Sequence, residues 1–228
     1  MAKITNIKLS PKKICLVLGL IATILLGIYI TILILVPTFN ASEEMGVVGL
    51  FNVNNEVSIP TWFSQIILFG AAVTLLAISA CSKTWKKSWK YLGFIFIYLS
   101  IDEGASIHEL TVFPLRDFFN IQSGPLYYTW VLLFGGILLL LAMIYLKFFM
   151  NLPRKTQIIL FSAALIFVSG AIGMEMVGSN LASQTGETSY SYSLVVAVEE
   201  YLEMIGVILF IYGLLSYYTK NKFELKIT

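Results

Sequence analysis

A single histidine, His108, stands in 228 residues, with two cysteines, six prolines and a charged fraction of only 12%. Each scarcity excludes something. One histidine rules out a zinc site built on three of them, and also the histidine-rich boxes that membrane desaturases need. Cys15 and Cys81 cannot make a disulfide framework and read as small buried hydrophobes. The charged fraction is about half that of an ordinary soluble domain. With 58% hydrophobic residues and a mean hydropathy of +0.85, the chain belongs to the membrane class rather than to large soluble cores.

The apolar residues are gathered into runs long enough to cross a bilayer core, which takes roughly 20 residues of helix. The expectation is an all-α polytopic protein: one integral membrane domain over 1–228, a bundle of six transmembrane helices at about 14–36, 60–80, 91–109, 126–150, 158–178 and 193–217. The first run is too long for a signal-peptide core and has no clean cleavage site after it, so it reads as a retained span.

Basic residues fall at the N-terminus (Lys3, Lys8, Lys12, Lys13), in 83–90, in 147–155 and in the tail (Lys220, Lys222, Lys226). With six spans all of these lie on one side, which makes both termini cytoplasmic. The cluster Lys83–Lys90 contains two tryptophans, but between two spans it is a positive-inside loop and not a nucleic-acid patch. The expected location is the plasma (cytoplasmic) membrane, multi-pass, with the lipid bilayer as the principal partner.

Against this apolar background stands Tyr98-Leu-Ser-Ile-Asp-Glu-Gly-Ala-Ser-Ile-His-Glu109. Seven acids fall inside the expected spans: Asp102, Glu103, Glu109, Glu175, Glu199, Glu200 and Glu203. No Lys or Arg shares their depth, and Arg116 is the nearest candidate. An ionised acid at a bilayer centre costs roughly 2.5–3.5 kcal/mol on insertion scales. Such groups face the bundle interior and require protonation, hydrogen bonds or a cation.

Helical spacing puts Asp102, Ser106 and Glu109 on one face of the third span, with Glu103 beside them. His108 points away from that face unless the helix ends or unwinds near Gly104. In the sixth span Glu199 and Glu203 are one turn apart, with Glu200 at their edge. Glu175 is the sole acid of the fifth, near the small residues Ser169, Gly170, Ala171 and Gly173, which allow close helix approach. With the third and fifth spans running outward and the sixth inward, all these acids share the outer half. The inner halves, 92–97, 158–161 and 206–211, are nearly featureless. A site that opens outward and ends blind near the midplane argues against a simple ion conduit, and against a transporter with one central site between inverted repeats.

Clustered carboxylates with one imidazole form a hard-to-borderline donor set suited to Mn, Fe, Zn or Ca. The expected divalent-metal ligands are Asp102, His108, Glu109, Glu175, Glu199 and Glu203, supported by Glu103, Ser106 and Glu200. Di-iron bundles use Glu-x-x-His pairs; this chain has none, so the site would be carboxylate-rich. A bound metal would serve a hydrolase or an oxidoreductase acting on a lipid or another membrane-associated substrate, or on a small molecule from the outer face. Three alternatives stay open. One is a metal-free ligand or pH-sensing site. Another is acid/base catalysis by the paired Glu199 and Glu203. The third is a structural membrane subunit whose protonated carboxylates bridge helices.

Overall fold

The computed structural model describes residues 10–38 and 46–221; Lys3, Lys8, Lys222 and Lys226 of the basic pattern lie outside them. Among the described residues every regular element is a helix. In chain order these are α1 (Pro11–Thr38), α2 (Gly46–Phe51), α3 (Ile59–Cys81), α4 (Lys86–Ala105), a 3-10 turn (His108–Thr111), α5 (Val112–Phe119), α6 (Trp130–Met150), α7 (Arg154–Val168), a π-turn (Ser169–Met174), α8 (Glu175–Thr185) and α9 (Tyr190–Lys220).

Four helical stretches are long and apolar enough to cross a membrane: Pro11–Leu35, Ile59–Cys81, Trp130–Met150 and the continuous Arg154–Thr185. They support a membrane-embedded protein. α4 and α9 are comparably long, at 20 and 31 residues; their carboxylates, and in α4 also Lys86, Lys87 and Lys90, lower their apolar character.

The sequence explains the local choices. On α1, Ala22, Leu25, Tyr29 and Leu33 form the buried stripe at helical spacing, while Leu16, Val17, Leu20 and Ile24 point outward. α3 starts where the Ser58 hydroxyl accepts the Thr61 N–H, with Pro60 near its first turn. Its buried Ala71, Ala72, Leu75 and Ile78 give a smooth face onto which α4 folds back. At the turn, Ser79 Oγ donates to Lys86 O, and Trp85 takes a left-handed conformation at φ 56°.

α9 runs through the centre. One apolar cluster joins it to α1 and α3 through Ala22, Ile67, Leu68, Ala71, Met204, Val207, Ile208 and Ile211. A second gathers Trp89, Phe148, Leu160 and Leu214 near the basic end of the bundle.

α7 and α9 meet along a seam of missing side chains. A Cβ added at Gly206 would stand 2.7 Å from Phe167 N, and one added at Gly170 would stand 2.8 Å from the Glu199 carbonyl oxygen. In a bilayer, where hydrophobic burial drives helix association little, such close backbone approach is a main source of stability. Of the small residues at 169–173, Gly170 makes this close approach, whereas nothing lies within 4 Å of a Cβ added at Gly173. The backbone there also widens into a π-turn, a feature that recurs at functional sites and that leads directly into Glu175.

Helix ends differ from the sequence-based spans, most importantly in the third. The third span was expected to continue to 109, but α4 stops at Ala105 because Ser106 adopts a left-handed conformation (φ 42°, ψ 44°). Asp102, Ser106 and Glu109 therefore do not share one helical face. The fourth span begins at Trp130 rather than 126, since Gly124 (φ 96°) and Pro125 hold an irregular approach to it.

Gly206→Ala is expected to lower stability by about 1–3 kcal/mol through overpacking against Phe167. Gly27→Ala, where nothing lies within 4 Å of an added Cβ, should be neutral or slightly stabilising. Thermal unfolding of the two variants in detergent checks the difference.

Candidate functional site

The early end of α4 creates the site. The Ser106 N–H donates to Asp102 O at 2.8 Å and the chain turns back. This brings the His108 N–H to Asp102 Oδ1 at 2.9 Å and His108 Nδ1 to Asp102 Oδ2 at 3.0 Å. Both oxygens of the buried Asp102 are thereby engaged by one residue. Histidine reaches the cluster because the helix breaks, the condition its position on an ideal helix required. Gly104 permits the break to sit close against α3: a Cβ there would collide with the Gln65 side chain.

Nδ1 is the ring nitrogen of His108 that Asp102 holds. The ring lies against Trp130, with centroids 4.6 Å apart, and edge-on to Phe134. Trp130 Nε1 in turn donates to Glu175 Oε1 at 2.5 Å. Asp102–His108 and Trp130–Glu175 are thus two hydrogen-bonded pairs joined by the contact of the His108 and Trp130 rings. The Glu175 and Glu199 side chains line the same cavity. Glu199 is 9% exposed, and its Oε2 is buried without a hydrogen-bond partner.

These groups surround a cavity of about 430 Å³. Asp102, Glu103, Ser106, His108, Glu109, Glu175, Glu199, Glu200 and Glu203 all line it, so every site residue expected from the sequence is brought to one chamber. Their situations differ. Asp102 is committed to His108. Glu109, beyond the helix end, is exposed and stands at the rim. Glu56 brings the lining to eight carboxylates; no Lys or Arg lines the cavity among the described residues. Arg116 is engaged elsewhere, its guanidinium 3.5 Å from the Tyr127 ring centroid and its Nε donating to Tyr127 O. Among the described residues, no group of three or more His, Cys, Asp or Glu side chains is arranged so that it could hold a metal ion.

Sequence reasoning missed Trp130, Phe134 and the Asn54–Asn55 pair, which also border the cavity. A tryptophan opening a span is ordinarily an interfacial anchor, so Trp130 carried no signal of its bond to Glu175. Asn54 and Asn55 reach the chamber from the turn before α3, a contact no local pattern encodes.

The loop before α6 is fastened over this end of the bundle. Tyr128 N–H donates to Ser179 Oγ and Gly124 N–H to Ser183 Oγ, and the Tyr128 hydroxyl donates to Glu187 at 2.6 Å. Burial pushes the Tyr128 phenol above its ordinary range, and the bond to Glu187 pushes the same way. The hydroxyl therefore stays protonated and remains a donor.

The chain belongs to the family described as a domain of unknown function (DUF8692), whose model matches residues 15–218 and so covers every site residue named above. No curated protein and no solved structure matches the chain.

Asp102→Ala leaves both nitrogen donors of His108 without their acceptor, and is expected to destabilise the protein by about 1–3 kcal/mol. Asp102→Asn retains one acceptor and should lose less. Unfolding curves of the two variants in detergent test the order.

Proposed function

We propose that this protein is a six-span membrane protein with cytoplasmic termini that binds a divalent metal ion in an acidic chamber reached from the outer face. Successive antiparallel spans α1, α3, α4, α6, α7–α8 and α9 would put the basic segments 83–90, 147–155 and Lys220 at one end, which the positive-inside rule assigns to the cytoplasm. At 1.5 Å rise per residue, α4 is about 30 Å long, the thickness of a hydrocarbon core.

The observation that carries the metal reading is Glu199 Oε2: a carboxylate oxygen buried without a partner, beside a chamber of eight carboxylates and no basic side chain. A buried charged group without a partner is expensive, and a cation is the simplest complement to such a lining.

The donor chemistry fits Mn, Fe, Zn or Ca. His108 and Glu175, Glu199 and Glu203 are the preferred ligands, and their carboxylates would have to turn toward a common centre. Asp102 takes the orienting role that a carboxylate commonly plays behind a metal-bound histidine. Glu103 and Glu200 lie beside this set, and Glu109 guards the entrance. A bound ion would supply Lewis acidity or an activated water.

Elemental mass spectrometry of the detergent-purified protein tests the reading. The expected result is near-stoichiometric Mn, Fe, Zn or Ca, lost in a folded Glu199→Gln/Glu203→Gln double variant. No metal in the wild type, with no uptake of added ions, would overturn it and leave the carboxylates as a proton-linked ligand site or as helix-bridging hydrogen bonds.

A further inference from the structure

The cavity is far larger than one ion requires. About 430 Å³ falls within the range of small-molecule sites, whereas a water's share of liquid volume is about 30 Å³. Apolar side chains line much of the cavity, among them Ile95 and Leu99 of α4, Ile137, Leu138 and Leu141 of α6 and Phe167 of α7.

α6 is secured near both ends and not between them. At the basic end Phe148 packs edge-on to Trp89 at 4.7 Å, and the Tyr145 hydroxyl donates to Ser88 O. At the other end Trp130 holds Glu175, and Thr129 Oγ1 donates to Val112 O at 2.6 Å. Midway, Gly135 faces Ile172 of the π-turn, with 4.0 Å from an added Cβ to Ile172 Cδ1. Between its ends α6 packs only loosely on its neighbours.

Tyr98, Ile137 and Leu138 line the chamber and yet are 38%, 42% and 37% exposed. These three sit at mid-length of their helices, so an opening beside them is lateral. With α4 and α6 as spans, it gives onto hydrocarbon rather than water.

We infer that the chamber takes a long-chain membrane amphiphile laterally, its alkyl chain between α4 and α6 and its head group toward the carboxylates. The slot buries methylene groups beside Ile95, Leu99 and Leu141. The charge of the lining selects the head: a hydroxyl- or amine-bearing group is complementary to eight carboxylates, and a bare phosphate meets no Lys or Arg. This inference rests on the six-span part of the proposed function and not on the metal.

The test uses the full chain in lipid nanodiscs with two diazirine probes, a hexadecylamine and a hexadecyl phosphate, and maps crosslinks by peptide mass spectrometry. The amine probe should label Ile95, Leu99, Ile137, Leu138 and Leu141 and exceed the phosphate probe by about tenfold, equivalent to 1.4 kcal/mol. Leu138→Trp, which fills the slot, should reduce labelling by a similar factor. Leu139→Trp, on the 68%-exposed neighbour, should not. Labelling confined to Leu139, Leu140 and Met143, insensitivity to Leu138→Trp, or preference for the phosphate would overturn the inference. Manganese uptake is measured on the same samples. Uptake without slot labelling defeats only this inference, and slot labelling without uptake defeats only the metal reading.

Discussion

Negative charge confined in a low-dielectric interior is the constraint from which the other features of this structure follow. A carboxylate withdrawn from water must be neutralised, hydrogen-bonded or matched by a cation. This protein spends little basic charge on the problem: Arg116 lies against Tyr127, and no Lys or Arg lines the cavity among the described residues. Its answers are local. Asp102 receives two nitrogens of His108, Glu175 receives Trp130, and Glu199 is left with an unmatched oxygen. The proposed ion would complete the set.

The rest of the fold can be understood as support for that arrangement. The glycine seam between α7 and α9 brings Glu199 close to the π-turn before Glu175, because a side chain at Gly170 would push against the Glu199 carbonyl. The left-handed Ser106 ends α4 at the point where His108 can return to Asp102. The loop of Tyr128 is tied to Ser179 and Glu187, which fixes the start of α6 and with it Trp130. α6 is held where it contributes Trp130 and where it joins the Trp89–Phe148 cluster, and stands away in between. One element thus serves both as a wall of the polar chamber and as an edge of an apolar slot.

Much of this was legible in the sequence, for a physical reason. Apolar runs of bilayer length and acids without basic partners are signals of composition, and they do not depend on knowing the fold. They were enough to locate the long helices and to gather Asp102, Glu103, His108, Glu175, Glu199, Glu200 and Glu203 as one group. Illegible were features set by a few dihedral angles or by distant contacts. The third span was carried to 109 because nothing in Gly-Ala-Ser-Ile fixes which residue turns left-handed. The short α2 and α5 fall between the expected spans, and neither carries a long periodic pattern. The bond from Trp130 to Glu175 joins residues 45 positions apart, and the turn at Asn54–Asn55 reaches the chamber only after α3 and α4 have packed.

The most direct measurement is pulsed electron paramagnetic resonance of the manganese-loaded protein in lipid nanodiscs, reading nitrogen couplings to the ion. Because His108 is the only histidine in the chain, the account predicts a single imidazole nitrogen coupling that disappears in His108→Gln while the ion stays bound through carboxylates. Manganese that remains free in solution, or that binds with no nitrogen coupling and without regard to His108, would contradict the proposed centre.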